Sequence, residues 1–221
     1  MAIAPIAPYS LPAMSQVAGN RTGWDPDADR AVLLIHDMQE YFIRAYQRDR
    51  EPMRTALANM VRLRERCHEL GIPVVYTMQP GNQHPSRRGL LADFWGAGMT
   101  NGPDTRVVPE LLPTPADIQV VKWRYSAFQR TDMRELLSYE GRDQLIVTGV
   151  YAHMGCMLSA AEAFMNDVQP FLVLDATADF SADDHRMAAD YVARRCGVVV
   201  ETEALLTAFR HSRAAARTAI A

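Results

Sequence analysis

Four short apolar runs in this chain each end in residues that could do chemistry. AVLLIHD closes on His36 and Asp37, PVVYTM is followed by Gln79, IQVVKW carries Lys122 ahead of Arg124 and Tyr125, and LIVTGV runs into Tyr151 and His153. In open α/β sheets the ligand crevice lies beyond the carboxyl ends of the strands. If these runs are parallel strands, an acid, an amide, an amine and a phenol converge there. Such a set suits acid–base work on a polar, anionic small molecule. Singly, each residue has an ordinary reading: Asp37 as a strand-end cap, Lys122 as a surface lysine laying its stem along the protein. Their common placement after strands is what argues for a site.

Other chemistries lack their residues. GAGMTNG (96–102) has the wrong spacing for a dinucleotide fingerprint and does not join a strand to a helix, so it reads as a loop. Neither a G-x-x-x-x-G-K phosphate loop nor a G-x-S-x-G elbow occurs, and Ser126 has no local feature of an activated serine. The six histidines are dispersed, and the CHEL around His68 lacks the second histidine of a zinc helix. No metal and no cofactor is expected.

The elements that must position these residues follow a regular alternation. The first thirty residues are proline-rich and weakly periodic, and read as an extended arm (1–30) lying across the domain. AVLLIHD is a continuous aliphatic run of the kind buried on both faces of a sheet. Met53 to Leu70 has Leu57, Met60, Val61 and Leu63 at helical spacing, with Pro52 at its start and Gly71 at its stop. Strands at 73–78 and 118–123 come next, with a short helix expected around Gly89 to Trp95 between them. A helix capped by Thr131 and ended by Gly141 then leads to a strand at 145–150. A helix from Gly155 to Asn166, a strand at 171–176, an amphipathic helix from Ser181 to Arg195, the strand GVVVET and a last helix capped by Thr202 complete the series. Six strands alternating with helices predict a three-layer αβα fold. Its sheet is an open, parallel, Rossmann-like one of six strands with helices on both faces. The domain is expected to span 31–210, with 211–221 as a flexible tail.

Composition bounds the function. A net charge of −3 with scattered Lys and Arg is not the footprint of a nucleic-acid binder. The apolar runs fall short of the roughly 20 residues that cross a bilayer, and no basic-then-apolar leader opens the chain. A cytoplasmic enzyme acting on a small molecule is the expectation. Cys67, Cys156 and Cys196 are odd in number and widely spaced, so they fit neither a disulfide framework nor a C-x-x-C site.

The segments LLIHDMQEYF, YTMQPG, RGLLADFWGAGM, KWRYSAF, GRDQLIVTGVYAHMGCM and DATADFSADDHRMA resemble the isochorismatases, over about Tyr9 to Leu206. The resemblance implies hydrolysis of an enol-pyruvyl ether. Amidases of the wider superfamily, nicotinamidases among them, place an Asp, a Lys and a nucleophilic Cys after strands one, three and four. Here Asp37 and Lys122 fall on the first two positions and Gly155 on the third. Cys156 comes one residue late, which turns it by about 100° on a helix, so it should point away from the ligand. Without a thiolate no acyl-enzyme forms, and acid catalysis by Asp37 on the terminal methylene carbon is the mechanism implied. An ordinary aspartate, with a pKa near 3.9, is ionised at neutral pH, so that of Asp37 would have to rise. Lys122 is assigned to orientation and the substrate's carboxylate.

The same resemblance gives Gln79 as a partner of substrate or water, Arg88 as a carboxylate clamp suited by its fork of donors, and Phe42 and Trp95 as apolar walls. Tyr151 would supply a hydroxyl or backbone contact, and Gly155 would leave room for the ring. It implies a cis peptide at Val150–Tyr151, structural roles for His153, Asp175 and Asp179, and a homodimer or larger homo-oligomer. Two substrates stay open: isochorismate, on a route to a catechol siderophore, and 2-amino-2-deoxyisochorismate, on a phenazine-like route. The end of the chain near the catalytic domain, without a fused carrier domain, points to the second, and GVYAHMGCM points to the first. A thiol amidase using Cys156 and a non-catalytic platform for carrier proteins are the remaining alternatives.

Overall fold

The computed structural model describes residues 3–219, with side chains through Arg210. Six strands form it: β1 (Ala31–His36), β2 (Val74–Met78), β3 (Ile118–Val121), β4 (Gln144–Val150), β5 (Gln169–Ala178) and β6 (Val198–Val200). They make one all-parallel sheet in the order β3-β2-β1-β4-β5-β6. The helices are α1 (Glu40–Ile43), α2 (Met53–Leu70), α3 (Pro85–Arg88), α4 (Leu91–Trp95), α5 (Met133–Tyr139), α6 (Met157–Met165), α7 (Ala182–Arg195) and α8 (Thr202–Ala219).

The alternation of side chains along β1 sets the layers. Leu33 and Ile35 join the core under α2 and α8, while Val32 and Leu34 join the core under α5, α6 and α7. Both faces are therefore covered, and β1 is buried throughout, as an aliphatic run with no polar face requires. Each Leu or Ile buried in this way contributes roughly 1.5–3 kcal/mol. α2 stops where Gly71 turns to a φ of 69° and its N–H reaches back to the last-turn carbonyls of Cys67 and His68. Ser181 caps α7 by accepting the N–H of Asp184 at 3.1 Å, and Asp183 and Asp184 lie in the first turn, where the helix dipole favours them.

Several local expectations give way to tertiary contacts. The helix expected around Gly89 to Trp95 is two short ones, α3 and α4, separated by Gly89 at a φ of 55°. The helix expected from Gly155 begins as a wide π-turn over Ala152–Cys156, and α6 starts at Met157. Asp179 holds that turn open by accepting the His153 N–H at 2.6 Å. Thr202 opens α8 as its first residue, and its N–H and hydroxyl both donate to Asp175 at 2.8 Å, so the expected cap is supplied from Asp175 instead.

The arm is tied down at both ends. The Ile6 N–H donates to Ala45 O at 2.8 Å and the Ile6 side chain is buried. Asn20 pairs its side-chain amide with both the N–H and the carbonyl of Val199. β6 is an edge strand, so Asn20 occupies hydrogen-bonding groups that would otherwise lie open. At the other terminus, where a tail is expected from 211, the α8 backbone is helical to Ala219. Alanine and arginine are strong helix formers and carry a helix already nucleated by packing. The side chains of 211–219 and the whole of 220–221 lie outside the described residues. No helix among the described residues is long and apolar enough to cross a membrane.

The sheet order reverses direction between β1 and β4, which makes their carboxyl ends the topological switch point. Asp37 leaves one of those ends and Tyr151 the other.

Candidate active site

β1 ends at His36, and the next residue, Asp37, turns into the left-handed region at a φ of 51°. Aspartate tolerates that conformation better than most residues, and here it turns the carboxyl into a buried pocket. Asp37 is 4% exposed and Lys122 fully buried. Lys122 Nζ donates to Asp37 Oδ2 at 2.7 Å and to the Arg124 carbonyl at 2.9 Å. Gln79 Nε2 also donates to Oδ2, at 2.9 Å, and the Thr77 hydroxyl donates to Oδ1 at 3.0 Å. Lys122 follows β3 directly, and its backbone N–H donates to Met78 O at 2.9 Å, so the sheet ladder itself aims the side chain inward.

Burial is the largest single influence on Asp37 and pushes its carboxyl pKa up. The ammonium of Lys122, the His36 ring and the bonds from Lys122 and Gln79 together outweigh it and hold the carboxyl below its usual range. Without substrate, therefore, the requirement that the Asp37 pKa rise is not met, because Lys122 lies against the carboxylate itself.

The eight residues singled out from the sequence, Asp37, Phe42, Gln79, Arg88, Trp95, Lys122, Tyr151 and Gly155, all line one pocket. Counting its mouth, it encloses about 590 Å³, within the range of small-molecule sites. Arg88, at the end of α3, is only 6% exposed and donates from Nε to Gly96 O at 3.1 Å. Gly98 leaves room for it: a Cβ there would sit 3.0 Å from Arg88 Cζ. Among the described residues no carboxylate pairs with this guanidinium. Trp95 Nε1 donates to the Tyr125 hydroxyl at 2.6 Å, and Phe42 stands edge-on to Tyr151.

Three placements add contacts that the sequence reading did not include. The Gln79 amide is directed at Asp37. The Tyr151 hydroxyl is committed to the Phe42 carbonyl at 3.2 Å, so the Tyr151 ring, against Phe180 at 4.3 Å between centroids, is a wall of the pocket. The space beside Gly155 is filled by His36: a Cβ at 155 would lie 2.5 Å from His36 Nε2, and closer still to Cε1. The missing side chain makes room for the protein's own imidazole. Cys156 faces away from this pocket, its Sγ 3.8 Å from the Thr148 carbonyl, and burial pushes its thiol pKa well up.

The Val150–Tyr151 peptide is cis. Asp179 accepts from His153 Nδ1 and from the N–H groups of His153 and Phe180, while Asp175 anchors Thr202 and Asn59. The fold also gathers possible metal-ligating atoms of His153, Asp179 and Asp184 within 4.8 Å of one another, a closeness that their scatter in sequence hides.

His36 and Tyr125, placed at strand ends by the sequence but given no role, belong to this neighbourhood, as do Thr77, Met154 and Phe180, which were not assigned to it from sequence. A threonine interrupting a buried apolar run was the available signal for Thr77. Met154 and Phe180 carried none, because their approach depends on the π-turn and on the end of β5.

The isochorismatase domain matches residues 31–204. The chain is 51% identical over 207 residues to the isochorismatase of Bacillus subtilis, which covers 93% of this chain and 66% of that protein. It is 49% identical over 203 residues to the phenazine biosynthesis protein PhzD1 of Pseudomonas aeruginosa, covering 91% of this chain and 97% of that one. A cysteine hydrolase structure from Pseudomonas syringae pv. phaseolicola superposes with a TM-score of 0.79 at 20% identity, over 88% of this chain and 98% of that one, which is a likeness of fold. With the domain matched over most of the chain and half of the residues shared with such relatives, the chain belongs to the isochorismatase family.

Proposed function

We propose that this chain hydrolyses an enol-pyruvyl ether, releasing pyruvate from isochorismate to give 2,3-dihydro-2,3-dihydroxybenzoate, and works as a homodimer or larger assembly. The observation that carries the reading is the buried Asp37 carboxyl, clasped by Lys122 and Gln79, in a pocket with Arg88 and no thiol in reach.

The substrate's carboxylate, held by Arg88 and drawn to Lys122, competes with Asp37 for the ammonium and adds negative charge beside it. Both effects raise the Asp37 pKa and favour its protonated form. Protonated Asp37 transfers its proton to the terminal methylene carbon. The ether oxygen's lone pair stabilises the resulting oxocarbenium ion. Water adds to the ether-bearing carbon of that cation and returns a proton to the Asp37 carboxylate. Cleavage of the C–O bond in the hemiketal then gives pyruvate and the ring alcohol. Phe42, Trp95 and the Tyr151 ring exclude bulk water from the cation.

A second reading is favoured by the near-equal likeness to the phenazine protein: hydrolysis of 2-amino-2-deoxyisochorismate to trans-2,3-dihydro-3-hydroxyanthranilate. Pyruvate release followed with lactate dehydrogenase, with each substrate in turn, tests both. Turnover of either, at a kcat/KM of about 10⁴ M⁻¹s⁻¹ or more, is the expected result, and the larger constant names the ring. No pyruvate from either overturns the reading.

Cys156→Ala separates this chemistry from that of a thiol amidase. The variant is expected to keep pyruvate release within about threefold of the parent, since the sulfur faces Thr148 and acyl transfer needs an ionised thiolate. A loss of a hundredfold or more at unchanged stability would assign the reaction to the thiol.

A further inference from the structure

We propose that His36 is a positioning residue whose imidazole ties together the strand ends holding the Asp37–Lys122 pair, and that residue 155 is glycine because this ring fills the space beside it. The positioning half rests on the assignment of Asp37 as the acid; the packing half does not.

The His36 ring is almost fully buried, with Nδ1 2.8 Å from the Val150 carbonyl and Nε2 3.0 Å from the Tyr125 carbonyl. Burial lowers its pKa to about 4, so the neutral ring donates to one of the two and packs against the other. Val150 ends β4. Tyr125 follows Arg124, whose carbonyl accepts from Lys122 Nζ. One ring on the last residue of β1 thus spans from the end of β4 to the loop after β3 that anchors Lys122. Asp37 is the next residue, so the position of its carboxyl follows the His36 backbone.

That backbone packs directly against Gly149, with no side chain able to come between, and the ring is not free either. A Cβ at Gly149, whose φ is 106°, would lie 2.7 Å from His36 N and closer still to His36 O. Nor can the ring swing aside without giving up both carbonyl contacts. A Cβ at Gly155 would overlap the ring itself, 2.5 Å from Nε2 and 2.8 Å from Nδ1, separations that real Cβ atoms do not show. The two glycines form a sleeve around His36, one for its main chain and one for its imidazole.

A histidine that merely fills the core would affect stability and leave turnover alone. The test is a cycle of four proteins, parent, His36→Ala, Gly155→Ala and the double variant, with His36→Gln beside them. Melting temperature, kcat and KM are measured on whichever substrate the parent turns over. For Gly155→Ala we expect a lowered melting temperature and a kcat loss of about thirtyfold or more. The same change in the His36→Ala background should cost less than about threefold, because the obstacle is gone. His36→Ala alone should lower kcat by about ten- to a hundredfold with KM within about threefold, and His36→Gln, whose amide can still donate to one carbonyl, should recover part of it.

Gly155→Ala penalties in melting temperature that are the same in both backgrounds overturn the packing half. A His36→Ala protein with parental kcat overturns the positioning half, whatever its stability. Should Gly155→Ala fail to fold, a folded double variant supports the coupling and an unfolded one, with His36→Ala itself folded, refutes it. If the parent releases no pyruvate from either substrate, the assignment of Asp37 as the acid fails with the proposed reaction, while the melting temperatures still decide whether His36 and Gly155 are coupled.

Discussion

Replacing Asp37 by asparagine is expected to lower kcat for pyruvate release by about 10²- to 10⁴-fold, the span a positioned general acid contributes, with KM within about threefold. The amide matches the carboxyl in shape, and its one oxygen can still accept from Lys122, which donates to Oδ2 at 2.7 Å, while its NH2 group faces the Thr77 hydroxyl, now as donor. It has no proton to give to carbon. The loss should therefore fall on kcat, the signature of an interaction made only in the transition state. Parental turnover by a folded Asp37→Asn protein would remove the acid from the mechanism.

Lys122→Met carries the second large effect, on stability and its pH dependence as well as on activity. Methionine approximates the lysine stem in volume but leaves the buried Asp37 carboxylate without its cation, and breaking a buried pair from one side costs about 3–5 kcal/mol. In the parent, the Asp37 carboxyl is held below its ordinary range, chiefly by Lys122 against the opposing effect of burial. A depressed folded-state pKa means that this contribution is present above the unfolded value, near 3.9, and lost as pH falls through the folded one. In the variant, burial is left as the main influence, so the carboxyl pKa rises and the group takes up a proton at a higher pH. The difference in melting temperature between parent and variant should be largest at about pH 7 and shrink towards pH 4. A gap that stays constant over that interval would mean that the pair does not hold the Asp37 charge.

These two effects meet in one geometry. In the proposed reaction, the carboxylate that must be protonated is held ionised, before substrate arrives, by the same lysine proposed to receive the substrate. On that reading binding and protonation are linked through Lys122: an anionic ligand that draws the ammonium away releases Asp37 to take a proton.

Much of this was legible along the chain because it depends on local pattern. The continuous aliphatic run of β1, the helical spacing in α2 with Gly71 at its end, and the alternation of strand and helix encode a parallel sheet covered on both faces. The residues that close each strand then name the acid, the lysine, the glutamine and the tyrosine of the pocket. Boundaries were less legible where distant side chains decide them. Asp179 opens the turn before α6 and Asp175 shares the start of α8, and neither carboxylate is near its partner in sequence.

By itself, the sequence determined that Asp37, Gln79, Lys122 and Tyr151 stand at strand ends facing the crevice, since strand periodicity and the end of each strand suffice for that. Only the tertiary structure decided what they touch: Gln79 turned onto Asp37, the Tyr151 hydroxyl taken by Phe42, and His36 seated where a side chain at 155 would stand. The physical reason is that periodicity sets direction to within a face of an element. Hydrogen bonds and steric exclusion are settled over a few tenths of an ångström, by neighbours that are up to a hundred residues away or more along the chain.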